Sequence, residues 1–249
     1  MIDIHTHILP GLDDGAASVE DALEMAALAL RSGVRMLVAT PHATARGDGR
    51  NLWGPEFYRA VSGFQQLLDE AGMELRVLPG MEIMGSARVP ELLRAKKLIG
   101  LAGSTHPLIE FPFTDYGGRA TELLERLVAD GWQPVVAHPE RYEYVQEDPS
   151  ILNLWTKVGC LLQINKGSLL GAFGPTEQRL SLELVDRGFA FAVASDAHSS
   201  VRRTPWMEDV AHLLEAEFSP RAALALLSRN PGRLLTNEWI REESPFWFE

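Results

Sequence analysis

The chain has a single cysteine, Cys160, in 249 residues. A lone thiol excludes a disulfide framework and a multi-cysteine zinc ribbon, and it fits a reducing cytoplasm. Long hydrophobic runs are missing too. No apolar stretch reaches the length that spans a bilayer, so membrane insertion is not expected. No signal peptide stands out, because Met1 leads straight into a strand-like run that carries candidate ligands. Positive charge is scarce, with 23 Lys and Arg against 34 Asp and Glu and a net charge of −11. That balance argues against general affinity for nucleic acid, whose backbone recruits Lys and Arg. No Gly-x-Gly-x-x-Gly follows the first strand, which removes the support for a dinucleotide fold. Internal repeats, low-complexity tracts and dividing linkers are also absent, so residues 1–249 read as one domain.

What is present alternates between two periods. Short apolar runs predict strands over Met1–His5, Met36–Thr40, Leu75–Leu78, Leu108–Phe111, Pro134–Ala137, Cys160–Ile164 and Phe189–Ala194. Helical stripes separate them over Ser18–Ser32, 119–130 and Pro175 to Gly188, with two more from Pro205 to about Glu217 and Pro220 to about Arg229. Ser18-x-x-Asp21 reads as a capping box, and Gly33 and Gly131 as stops. Strands alternating with helices imply parallel pairing, and seven of them point to an α/β barrel that is closed or nearly so.

In parallel barrels the functional groups gather at the C-terminal strand ends. His5-x-His7 ends the first strand, so both imidazoles face one side. The loop Gly11-Leu-Asp-Asp-Gly15 follows that strand, and the other ends carry Thr40-Pro-His42, Gly80-Met-Glu82, Ile109-Glu-Phe-Pro112, Ala137-His-Pro-Glu-Arg141 and Ser195-Asp-Ala-His198. Five of the seven histidines therefore sit at strand ends, each beside carboxylates. Taken singly, Asp13-Asp14-Gly15 also makes a plain turn, Asp196 and His198 a polar pair, and Glu82 and Glu110 solvated loop groups. Six such strand ends together point to a site. A His/Asp/Glu set without thiolate suits Mn²⁺, Fe²⁺ or Zn²⁺, and its size suits two or three ions with a bridging carboxylate. Clustered ions of this kind serve in-line phosphoester hydrolysis.

Arg141 and Arg203 lie three and five residues beyond His138 and His198, where a guanidinium fork matches phosphate. His106 and His212 lack such company and default to structural or surface roles. Cys160 reads as a buried inert thiol, and a Cys-x₅-Arg phosphate loop fails because position 166 is Lys166. The loop Arg46–Gly54, with Trp53, would border the site as a substrate contact or stand as a surface loop. The tail Ser244–Glu249 reads as a docking or dimer element, or as an apolar flap over the barrel.

The stretches MIDIHTHILPGLDDGA, ATPH, GMEI, LIEFPF, VVAHPERY, QINKGSLLG and ASDAH, followed by Arg203-Thr-Pro, resemble the polymerase-and-histidinol-phosphatase (PHP) superfamily of metal hydrolases. Within it, they look like the bacterial protein-tyrosine phosphatases encoded with capsule and exopolysaccharide synthesis. The resemblance implies a distorted (β/α)₇ barrel of the PHP type with three divalent ions, Mn foremost and Fe or Zn as alternatives. One ion would take His5, His7, Glu82 and Asp196, a second Glu82, Glu110 and His138, and a third Asp14, His42 and His198. The choice of Asp14 over Asp13 rests on motif alignment. Arg141 and Arg203 match phosphate-binding arginines. The implied activity is hydrolysis of phosphotyrosine by a metal-bound hydroxide, on the Tyr-rich tail of a bacterial autokinase that controls polysaccharide export. The alternatives are a small-molecule phosphatase of the histidinol-phosphate type and a non-catalytic regulator. Gly103–Pro107 and Lys166 depart from the family pattern.

Overall fold

In the computed structural model, which describes residues 1–43, 51–114, 117–241 and Phe248, nine strands lie in two parallel sheets. One sheet joins β1 (Ile2–Thr6), β2 (Met36–Ala39) and β4 (Arg76–Pro79). The other runs β3 (His42–Ala43), β5 (Glu82–Met84), β6 (Leu108–Glu110), β7 (Val135–Ala137), β8 (Leu161–Asn165) and β9 (Ala190–Ala194). β3 continues the path of β2 past Thr40-Pro41, and β5 continues β4 past Gly80-Met81. The path therefore has seven steps, two of them broken. Pro41 has no N–H to donate to a ladder, which accounts for the first break. At the second, a Cβ on Gly80 would stand 2.5 Å from Val38 Cγ1, so only glycine allows this approach.

β9 returns to β1 without a regular ladder. Thr6 bridges Ala197, His7 N donates to Ala197 O at 2.8 Å, and Asp196 N donates to His5 O at 2.9 Å. The result is a distorted (β/α)₇ barrel. A large apolar cluster joins the strands to the helical layer. A smaller one around Ile4, Val38, Leu108, Val135 and Leu161 is closed off by Leu234 and Ile240.

The helices Val19–Arg31, Gly118–Ala129 and Pro175–Asp186 follow the predicted stripes, and Ser18 Oγ accepts from Asp21 N at 3.2 Å. Three differences stand out. The longest helix, Pro55–Glu70, lies where no helix is expected, burying Phe57, Val61, Phe64 and Leu68. The helix expected from Pro205 begins at Glu208, because Lys166 Nζ takes up Trp206 O and Asp209 Oδ2 and holds the preceding loop open. The last helix runs beyond Arg229 to Leu235, through a wider turn at Ala225–Arg229. Pro231 lacks the N–H that a regular ladder would use there, which favours that turn.

Candidate metal centre

Each strand end delivers its side chain through a local feature. His5 on β1 and His7 just beyond its end are fully buried, and their Nε2 atoms lie 3.3 Å apart. The two breaks put His42 in register with Glu82, while Met84 pairs with Glu110. His138 follows β7 and Asp196 lies just beyond β9, with left-handed φ of 34° and 49°. Arg203 shares that conformation at φ 51°. Such backbone costs on the order of 1–3 kcal/mol per residue bearing a Cβ, and it clusters where a site demands it.

The nine candidate ligands meet in one place. Glu82 is the hub. Its Oε2 lies 3.2 Å from the Nε2 atoms of both His5 and His7 and 3.0 Å from His42 Nδ1, and its Oε1 lies 3.0 Å from His138 Nε2. Glu110 stands 3.7 Å from both His42 Nδ1 and His138 Nε2. Asp196 Oδ1 is 3.5 Å from His5 and His7 Nε2 and 3.6 Å from His198 Nδ1. Asp14 Oδ1, at the exposed end, is 3.5 Å from the Nε2 atoms of His42 and His198.

Four overlapping groups have donor atoms within 4.8 Å of one another: His7, Asp14, His42 and His198; His5, His7 and Asp196; His5, Glu82 and His138; and His42, Glu82 and Glu110. This grouping differs from the implied division: His7 joins the Asp14 group, His42 joins the two glutamates, His138 groups with His5 and Glu82 without Glu110, and Glu82 is absent from the His5, His7 and Asp196 group. The spacing fits first-row divalent ions, whose bonds of about 2.0–2.2 Å set neighbouring donors roughly 3–3.6 Å apart.

Two histidines are oriented from behind. His7 Nδ1 donates to Asp13 Oδ2 at 2.7 Å, and His5 Nδ1 donates to Gln163 Oε1 at 2.8 Å. Each bond directs the Nε2 lone pair toward the cluster. Asp13 Oδ2 also accepts from His42 N at 2.9 Å, so of the two adjacent aspartates Asp13 orients and Asp14 faces the donors. A Cβ on Gly15 would fall 2.1 Å from His7 O, so this turn requires glycine. Gln163 Nε2 donates to Asn165 Oδ1 at 2.9 Å, and Asn165 Nδ2 to Asp196 Oδ2 at 2.6 Å, linking His5 to Asp196 through β8.

The electrostatics ask for cations. Burial pushes His5 down, but Glu82 and Asp196 outweigh it and raise the imidazole to about 9. Burial is likewise outweighed at His7, where Asp13 and Glu82 raise it to about 10. Burial, with Glu82 alongside, pushes Glu110 up to about 7. Burial would also raise Glu82, yet His5 and His138 hold it well below the usual carboxylate range. Burial and the charge of His7 take His198 down to about 4. Protons drawn onto imidazoles and a carboxylate mark a cluster that needs more positive charge than its side chains carry. Divalent ions would meet that need.

Both arginines reach the same carboxylate. Arg203 Nη2 lies 2.5 Å from Asp196 Oδ2 and Arg141 Nη1 3.4 Å from it. Arg141 ends a short turn, Pro139–Arg141, pinned on both sides. Glu140 Oε1 accepts from Asn165 N at 3.0 Å and Ser168 Oγ at 2.6 Å, and the Tyr142 hydroxyl donates to Ala137 O at 2.6 Å. Asp14, His42, Glu82, Glu110, His138, Asp196 and His198 line a cleft of about 160 Å³ together with both arginines.

Sequence reasoning missed Asp13 as an orienting group, along with Gln163, Asn165 and Glu140. Gln163 and Asn165 did leave a signal, two polar residues at i and i+2 in an otherwise apolar strand. His106 is buried between Gln133 O and Glu238 O, and His212 is exposed on its helix. Trp53 lies tilted to Phe57 and edge-on to Tyr58, at 5.7 and 6.4 Å between ring centres, so it packs on the helix that follows it, while 46–50 of that loop lie outside the described residues. Of the tail Ser244–Glu249 only Phe248 is described; it stacks on Phe189 at 5.1 Å, and the other residues lie outside the described ones.

Known proteins resemble the chain over most of its length. The chain is 38% identical over 246 residues to the tyrosine-protein phosphatase YwqE of Bacillus subtilis, covering 98% of this chain and 95% of YwqE. A crystal structure of YwqE and of CpsB from Streptococcus pneumoniae, described as unique metal-dependent tyrosine phosphatases, superposes with a TM-score of 0.93 at 37% identity over all of both chains. Histidinol phosphate phosphatase from Lactococcus lactis shares the fold, with a TM-score of 0.57 at 16% identity over 89% of this chain and 93% of that one. Residues 1–236 match the family described as capsular polysaccharide synthesis, CpsB/CapC, and the chain belongs to that family.

Proposed function

We propose that this chain is a metal-dependent phosphomonoesterase that removes phosphate from tyrosyl residues of proteins. The carrying observation is that Arg141 and Arg203 converge on Asp196, itself a member of the candidate ligand set. His5, His7, Asp14, His42, Glu82, Glu110, His138, Asp196 and His198 would hold the ions, which we take to be three, with Mn²⁺ foremost. When bound, such ions supply Lewis-acid polarisation of the phosphoryl group and lower the pKa of water. A phosphoryl group in the cleft meets the Arg141 and Arg203 forks, which match its oxygens and stabilise the charge that builds on them. Asn165, bonded to Asp196 Oδ2, holds that carboxylate in place as the arginines turn to substrate. Cys160 is not the nucleophile: it is buried ahead of β8, and burial pushes its thiol far up.

As substrate we assign the disordered, Tyr-rich tail of a bacterial autokinase that controls polysaccharide export, met in the cytoplasm. The capsule-synthesis description of the family supports that choice, and no described helix is long and apolar enough to cross a membrane. The nearest alternative is a small-molecule phosphatase of the histidinol-phosphate type. Values of kcat/KM on a phosphotyrosine peptide and on histidinol phosphate separate the two. The peptide should be preferred tenfold or more, and the reverse order overturns the proposal.

A further inference from the structure

The cleft has one side chain made only of carbon. Nine of the described residues lining it are charged or titratable, and the tenth is Phe113. The residue is 38% exposed, and it is the one large, exposed apolar residue among the described ones that lines the cleft. The exposure is not looseness. Phe113 O accepts from Glu143 N at 2.9 Å, and the ring lies 5.9 Å from that of His138 and 6.0 Å from that of Tyr142. The Arg141 guanidinium carbon stands 4.7 Å from the same ring centre. A fixed apolar face therefore stands beside a phosphate-binding arginine, at an opening that is otherwise polar.

A second ring provides the comparison. Phe173 lies 4.3 Å from the Arg141 guanidinium and 5.9 Å from that of Arg203, but it does not line the cleft. Both phenylalanines thus support Arg141 through cation–π contact. Only Phe113 also offers its ring to a substrate. A phosphoryl group held by Arg141 would have its ester substituent within reach of Phe113, whose ring centre is 4.7 Å from that guanidinium. An aryl ring gains stacking and desolvation there that an alkyl group does not.

We propose that Phe113 is a specificity-determining residue that packs against the aromatic ring of an aryl phosphomonoester and so selects tyrosyl over alkyl phosphate. This rests on the phosphatase reading above and assigns its selectivity to one side chain.

The test uses the Mn²⁺-loaded full chain with phenylphosphonate and methylphosphonate as binding probes, which share a head group and undergo no turnover. Titration calorimetry on wild type, Phe113→Leu and Phe173→Leu reads the ratio of the two affinities. Wild type should prefer phenylphosphonate about tenfold, and Phe113→Leu should lose that preference, with methylphosphonate binding falling no further than it does in Phe173→Leu. Phe173→Leu should weaken both ligands alike, since it acts only through the arginines. An unchanged ratio in Phe113→Leu, or the same uniform weakening as in Phe173→Leu, overturns the inference. Turnover of a phosphotyrosine peptide by the same samples keeps the two claims apart. A protein that leaves the peptide intact yet keeps the Phe113-dependent phenyl preference supports the aryl wall while sinking the tyrosyl reading.

Discussion

Asp196 and Arg203 form the shortest ion pair in the cleft, 2.5 Å between Oδ2 and Nη2, and both residues sit in left-handed backbone. The other oxygen of Asp196 faces His5 and His7. A single carboxylate therefore joins the histidine cluster to the two arginines. Burial would raise its pKa, but His5 and Arg203 together outweigh that and keep it ionised. This shared carboxylate accounts for two arginines at the edge of a histidine cluster.

Arg141→Ala and Arg203→Ala should each lower kcat/KM on a phosphotyrosine peptide by roughly 10²–10³ while the protein stays folded by circular dichroism. Lysine at either position should restore little, since a point charge does not reproduce the fork. Activity within threefold of wild type in either alanine variant would contradict the assignment.

Asp13 tests the orienting groups behind the cluster. Asp13→Ala removes the acceptor for His7 Nδ1 and should weaken Mn²⁺ affinity by about 10–100-fold, with activity partly recovered at high Mn²⁺. Metal content after dialysis, read by mass spectrometry, checks this. Retained wild-type loading would place Asp13 in the turn alone.

His106 gives a pH signature remote from the cleft. Burial holds its pKa below the ordinary value of 6.5, with only the carbonyls of Gln133 and Glu238 opposing. The unfolded chain therefore takes up a proton near pH 6.5 that the folded one refuses. Its contribution to stability is present above that pH and is lost as pH falls through the lower folded value. Wild-type Tm should drop more steeply between pH 7 and 5 than that of His106→Gln. Parallel curves would show that His106 does not titrate on unfolding.

Much of the site was legible because barrel chemistry collects at strand ends and because two periods separate strand from helix. The seven expected strands correspond to β1, β2, β4, β6, β7, β8 and β9. β3 and β5 escaped because two and three residues are too few for alternation to register. The helix Pro55–Glu70 had a readable stripe, so its omission reflects no hidden tertiary effect. Asp13 and Asp14 are adjacent in a turn, and only the approach of His7 and His42 tells them apart. Phe113 carried no local signal at all. An aromatic residue after proline reads as surface until its distance to Arg141 is known. Lys166 likewise makes sense only in three dimensions, as a tie to the loop before Glu208.

The most direct measurement is hydrolysis of a phosphotyrosine peptide by protein stripped with chelator, dialysed and then reloaded. Turnover should fall to background on stripping and return with Mn²⁺, and His5→Ala should fail to recover at any Mn²⁺ concentration that rescues wild type. Undiminished turnover in metal-free protein would contradict the account at its centre.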